Sequence, residues 1–252
     1  MSRAVSGLYV PAALLLLAEL AARWFGVHSD SLAAPSQAVA ALWGAMSDGT
    51  LWAWTAQTLG AALAGLALGV MFGLLVAALV GLSPVAARVL WLPIEFLRPI
   101  PSVALLPVAL LVFGFGFRLE ISIVAFACFW PMVIVGGSAI GQVEPRLLEV
   151  ARVLRMGWPA RLGKIVLPAA LPRLFVAVRL AAGVALIVAV TVEIALNPLG
   201  LGFAMIEAQQ TMHPALMFAV LIWVGVLGWG LNWLLLVAQR RLFGRAAMVV
   251  GP

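Results

Sequence analysis

Catalysis needs nucleophiles, acids, bases or metal ligands held at fixed spacing, and this 252-residue chain is poor in all of them. It has nine acidic residues, two histidines and one cysteine. His28 and His213 stand far apart, so neither belongs to a cluster with metal-ligand spacing. Cys128 lies in the apolar run AFACFWPMVIV. A single thiol makes no intrachain disulfide and no cysteine metal site, so it reads as a small buried filler. Gly157–Ile165, GWPARLGKI, comes close to a phosphate-binding loop. It has five residues between its glycines where four are needed, and isoleucine follows the lysine where serine or threonine is needed. ATP is therefore expected elsewhere, and no cofactor is expected on this chain. No nucleophile–base pair and no paired carboxylates stand out, which argues against an enzyme.

A few charged and backbone-breaking residues remain to be placed. Glu193 lies in AVTVEIALN, near the outer part of the fifth expected span, where an ionisable group needs a partner or a water-lined cavity. It is either a gating or structural polar group or a residue at the outer headgroups. Arg98 and Arg179 could ease the passage of an anion or could snorkel to the surface. Trp91–Pro107, WLPIEFLRPIPSVALLP, carries Pro93, Pro99, Pro101 and Pro107, each lacking a backbone donor. Broken backbone at membrane depth survives only where protein or a water-filled path covers it. Arg98, Pro99, Pro101, Arg179 and Glu193 are therefore the candidate pathway residues.

The elements that position these groups follow from composition. The chain is 65% hydrophobic and 10% charged, where soluble domains carry roughly 25% charge. Mean hydropathy is +1.17. Its apolar stretches are long and continuous, which points to spanning helices of about twenty residues rather than barrel strands. Six are expected, at 8–27, 55–80, 102–115, 119–140, 174–196 and 215–237. The first resembles a signal peptide, with Arg3 and a weak cleavage site at Ser31–Ala33, but is long enough to be a retained span. Within it, Glu19 and Arg23 sit four apart and can pair. With the N-terminus in the cytoplasm, thirteen of fifteen basic residues, including Arg240, Arg241 and Arg245, fall on the cytoplasmic side. Only Arg23 and Arg118 lie outside. An even number of spans returns the C-terminus to the cytoplasm. The net charge of +6 is thus a topology signal and calls for no nucleic acid. In the second span Ala61, Gly65, Gly69, Gly73, Ala77 and Gly81 recur every four residues, a seam of small residues for close helix packing within or between subunits.

The longest cytoplasmic segment, 141–173, reads GQVEPRLLEVARVLRMGWPARLGKIVLPAALPR. One amphipathic helix is expected from Pro145 to Met156, with Pro145 at the favoured first position and Leu147, Leu148, Ala151 and Leu154 on one apolar face. A turn at Gly157–Trp158–Pro159 and a second short helix from Ala160 to Pro168 would follow. Two such helices held between spans could present a ridge to a partner's groove.

This segment resembles the EAA loop of ABC importer permeases. Glu149 and Ala151 match its opening, and Ile165, Leu167 and Pro168 its Ile-x-Leu-Pro close. Val150 replaces the first alanine. Arg155 replaces the motif glycine, so the bend would fall to Gly157 with Pro159. PSQAVAALW (Pro35–Trp43), LRPIPSVALLP, FGFG (Phe113–Gly116), LPAALPRLFVAVRLA and GLGF (Gly200–Phe203) are similar to the nitrate/sulfonate/taurine branch. The resemblance implies a single all-α permease domain, residues 1–252, in the bacterial inner membrane. It further implies a second copy of the chain, an ATP-binding cassette subunit carrying ATP and Mg, and an external solute-binding protein. Glu149, Ala151, Leu154, Arg155, Gly157, Ile165, Leu167 and Pro168 would couple the ATPase to the spans. The alternative is a secondary transporter or channel working alone, with Glu193 and the broken third span as its working parts.

Overall fold

The structure is a computed structural model and describes residues 9–24 and 32–244. Arg3, His28, Ser31 and Arg245 lie outside the described residues, as do both ends of the expected first span. Among the described residues all regular elements are helices. They are α1 Tyr9–Trp24, α2 Pro35–Ser47, α3 Thr50–Leu82, α4 Pro84–Leu97 and α5 Leu106–Phe113. There follow α6 Phe117–Gly141, α7 Pro145–Val153, α8 Pro159–Ala195, α9 Gly200–Gln210 and α10 Pro214–Phe243.

Helices α3, α6, α8 and α10 are long and apolar enough to cross a membrane. A fifth crossing is a broken one: α4 and the segment Ser102–Phe113 meet at a bend of 81°. The seam on α3 explains why a crossing must lie there. Gly65 faces Val124, Gly69 faces Ala125 and Cys128, Gly73 faces Met132, and Gly81 faces Ile140. The partner number climbs with the seam number, so α3 and α6 run parallel. The chain between them must return across the bundle, and the prolines at 99 and 101 sit where that return bends. Ser102–Phe113 covers about 20 Å of a roughly 30 Å hydrocarbon layer.

The seam packs within the chain. A Cβ at Gly69 would lie 2.6 Å from the Ala125 carbonyl oxygen and 2.7 Å from Cys128 Cβ. Only glycine allows this approach. Cys128 is the buried filler expected, its thiol donating to the Ala181 carbonyl at 3.3 Å. Helix α8 runs antiparallel to α6, burying Ala177, Ala181, Ala185 and Ala189 against it and α3. Helix α10 buries little beyond Ala219, Val220 and Gln239. One end of the bundle therefore gathers the α3–α4 link, segment 141–159 and the last turn of α10. The other gathers the starts of α3 and α6, helix α9 and the α9–α10 turn.

Three elements differ from expectation. The second short helix of the loop is not separate: α8 runs from Pro159 through a wide π turn at Leu162–Val166 into the span. Such a turn re-satisfies backbone groups freed by the nearby Pro168. Helices α2 and α9 were not expected. Glu19 of α1 pairs with Arg23 at 2.8 Å, as its spacing implies. It also accepts from the Ser36 backbone N–H at 3.0 Å and the Ser36 hydroxyl at 2.8 Å, which caps α2.

Candidate functional site

The loop 141–173 forms one face of the molecule. Its two ends are tied by Arg173 Nη1, which donates to Gln142 Oε1 at 2.8 Å. Helix α7 packs on the Leu162–Val166 turn. Ala151 is fully buried and Leu148 half-buried against Ile140, Val143 and Val166. The expected single apolar face is therefore split. Leu148 and Ala151 turn inward, whereas Leu147, Val150, Val153 and Leu154 turn outward. Val153 is 81% exposed and Leu154 64%. These four recur at helical spacing and form an uncovered apolar ridge at the end of the bundle. Glu149 is exposed beside it, Ile165 and Leu167 are half-buried beneath the helix, and Pro168 is exposed.

The bend after α7 is not made by Gly157. Arg155 itself adopts φ +48°, in the left-handed region, while Gly157 does not. The Met156 N–H donates to the Ala151 carbonyl at 3.0 Å, closing a Schellman turn around Arg155. Arg155 thus takes a left-handed conformation that favours glycine. Gly157 instead lies just before α8, its carbonyl accepting from the Arg161 N–H at 2.9 Å.

The candidate pathway residues are not brought together. Arg98 lies on the exposed bend and pairs loosely with Glu95 at 3.5 Å, and Pro99 and Pro101 are exposed beside it. Arg179 lines a groove of about 370 Å³ between α8 and α10, with Gly183, Gly225, Gly228 and Asn232. Glu193 lies at the opposite end from the loop and is only 1% exposed, enclosed by protein.

Glu193 is the hub of a buried polar cluster. Its Oε2 accepts from the Gly202 N–H at 2.8 Å, and its Oε1 from the Thr58 hydroxyl at 2.7 Å. Thr58 Oγ1 in turn accepts from the Leu201 N–H at 2.9 Å. Two spans thus satisfy two orphan donors of the first turn of α9. Gly200 and Gly202 are required here, because a Cβ at either would collide with the Glu193 side chain. Beside them Asn197 Nδ2 donates to Glu120 Oε2 at 2.8 Å, and Glu120 and Glu193 lie next to one another. No paired carboxylates stand out along the sequence; the fold makes a pair. Thr58 and Glu193 are 135 residues apart, and Glu120 and Asn197 are 77 apart, so spacing carried no signal.

Comparison with known proteins shows the family. The binding-protein-dependent transport system inner membrane component family matches residues 69–246. The putative aliphatic sulfonates transport permease protein SsuC of Bacillus subtilis is 30% identical over 224 residues, covering 89% of this chain and 81% of that protein. The taurine transport system permease protein TauC of Escherichia coli is 29% identical over 195 residues, covering 77% and 71%. The bicarbonate transport system permease protein CmpB of Synechococcus elongatus is 31% identical over 186 residues, covering 73% and 66%. Among solved structures, an inward-facing form of the MetNI methionine ABC transporter shares the fold at TM-score 0.64 and 18% identity, covering 76% of this chain and 93% of that one. The chain belongs to the binding-protein-dependent transport system inner membrane component family, as an ABC importer permease of the nitrate, sulfonate and taurine branch, a transport subunit and not an enzyme.

Proposed function

We propose that the chain forms the translocation pathway of an ATP-driven importer, two copies side by side, and that α7 couples it to an ATP-binding cassette subunit. The apolar ridge Leu147, Val150, Val153 and Leu154 carries this reading. It stands on a loop beyond the spans, and it has the form of a helix laid in a partner's groove. Leu148, Ala151, Ile165 and Leu167 seat the helix on the bundle, Arg155 and Gly157 fix its angle to α8, and Glu149 borders the ridge. Pro168 marks the base of the loop.

The loop end is the cytoplasmic side, supported by the basic residues there, and both termini lie on that side of the bacterial inner membrane. ATP and Mg belong to the partner subunit. An external binding protein delivers solute to the end that carries α9. Relatives are named for sulfonates, taurine, nitrate and bicarbonate, which share compact anionic oxygens. The solute is accordingly a small oxyanion of this kind, with Arg179 in its groove as the cation best placed to meet it and Arg98, Pro99 and Pro101 at the bend of the pathway. Glu193 serves the pathway by holding α9 rather than by lining it.

The test is uptake by proteoliposomes carrying the assembled importer and its binding protein. Val153→Asp is expected to abolish ATP-dependent uptake while the spans keep their thermal stability. Full uptake by that variant would overturn the coupling role of the ridge.

A further inference from the structure

The end of the bundle that carries α9 encloses two carboxylic acids with no cation beside them. Glu120 and Glu193 are each 1% exposed and touch one another. The ion pairs among the described residues are Glu19–Arg23 and Glu95–Arg98, so neither buried acid is neutralised by a base. The surrounding elements offer none. Helix α3 has no titratable residue from Thr50 to Leu82. On α6, Arg118 is exposed, and on α9 Glu207 is exposed. The next charged residue on α8, Arg179, is about four turns away. His213, in the turn after α9, bonds to the Thr211 hydroxyl at 3.0 Å.

Hydrogen-bond accounting distinguishes the two acids. Both oxygens of Glu193 accept a donor, and its carboxylate sits at the N-terminus of α9, where aligned peptide dipoles favour negative charge. Glu120 accepts one donor, at Oε2, and its Oε1 has no partner. Two touching buried carboxylates do not both stay ionised without a cation. A proton on Glu120 Oε1 turns an orphan acceptor into a donor facing Glu193. Asn197 Oδ1, also unpartnered and 1% exposed, belongs to a residue lining a pocket of about 190 Å³ with Glu193, Phe203, Ile206 and Gln210. That pocket lies beside Glu193.

We infer that Glu120 and Glu193 form a binding site for one proton, carried on Glu120 Oε1 and donated to Glu193, and that this proton holds α9 against the ends of α3, α6 and α8. Loss of the proton leaves two charges side by side beneath the first turn of α9, and their repulsion loosens it.

The direct test is infrared spectroscopy of the purified full chain in lipid nanodiscs at neutral pH. A protonated-carboxyl band is expected, lost in Glu120→Gln and kept in the control Glu207→Gln. Absence of the band in the unmodified chain, or its survival in Glu120→Gln, overturns the assignment. The two glutamine substitutions are also unequal. Glu120→Gln retains a donor toward Glu193 and an acceptor for Asn197, so thermal stability is kept. Glu193→Gln gives up an acceptor, so stability falls; equal losses in both contradict the placement of the proton. Finally, labelling of Ile206→Cys by a membrane-impermeant maleimide should rise with pH more steeply than in the same variant carrying Glu120→Gln, where only the growing thiolate fraction raises it. The native Cys128 is fully buried and stays unlabelled. Labelling that rises equally with pH in both proteins overturns the latch. None of these readouts requires transport, so they stand apart from the coupling proposal.

Discussion

Arg155 pays for its position with backbone strain. A non-glycine residue in the left-handed region costs roughly 1–2 kcal/mol, and glycine avoids that while losing roughly 0.4–1 kcal/mol through unfolded-chain entropy. Arg155→Gly should therefore stabilise the turn by a net of about 0.5–1 kcal/mol, and Arg155→Val should destabilise it. Hydrogen exchange across 145–156 checks both: slower in the glycine variant, faster in the valine variant. The departure from the family glycine was visible in the sequence, but its consequence was not. Gly157 seemed the natural bend because glycine is permissive, whereas the Schellman hydrogen bond from Met156 to Ala151 fixes the left-handed position two residues earlier. Glu193 was legible as a buried acid needing a partner. Its partners were not, since Thr58 and Glu120 meet it only through the packing of three helices.

At the scale of elements, the α3–α6 seam is the most constrained contact. Gly69→Ala should cost roughly 1–3 kcal/mol, because the added Cβ meets backbone oxygen and the root of a side chain that cannot swing away. Gly225→Ala is the control, with nothing within 4 Å of its Cβ. Thermal unfolding in detergent should separate the two; equal stability would remove the seam's role. The four-residue spacing made the seam legible, and the long apolar runs gave the spans through α6, α8 and α10. Helices α2 and α9 escaped notice because they are short, and in α9 the start is set by Gly200, at φ +86°, and by capping groups on other helices. The broken crossing was half legible. Its prolines announced a break, while the need for a return followed only from the parallel register of α3 and α6.

At the scale of the whole molecule, the two ends of the bundle differ in kind. One ends in an apolar ridge on a tied loop, the other in a sealed polar cluster beneath a short helix. ATP-driven transport needs contacts at the first end that change the balance of states felt at the second. Helix α8 is continuous from Pro159 beneath α7 to Ala195 beside α9, so one rigid element joins the two. The central claim is that the ridge on α7 holds an ATP-binding subunit. The measurement that tests it most directly is affinity purification of the tagged chain from its native membrane in mild detergent, followed by mass spectrometry and an ATP-hydrolysis assay. An ATP-binding cassette protein is expected to co-purify with ATPase activity and to be lost in Val153→Asp and Glu149→Lys, while both variants stay folded. A chain that purifies alone under every mild condition, or variants that retain the ATPase in full, would contradict it.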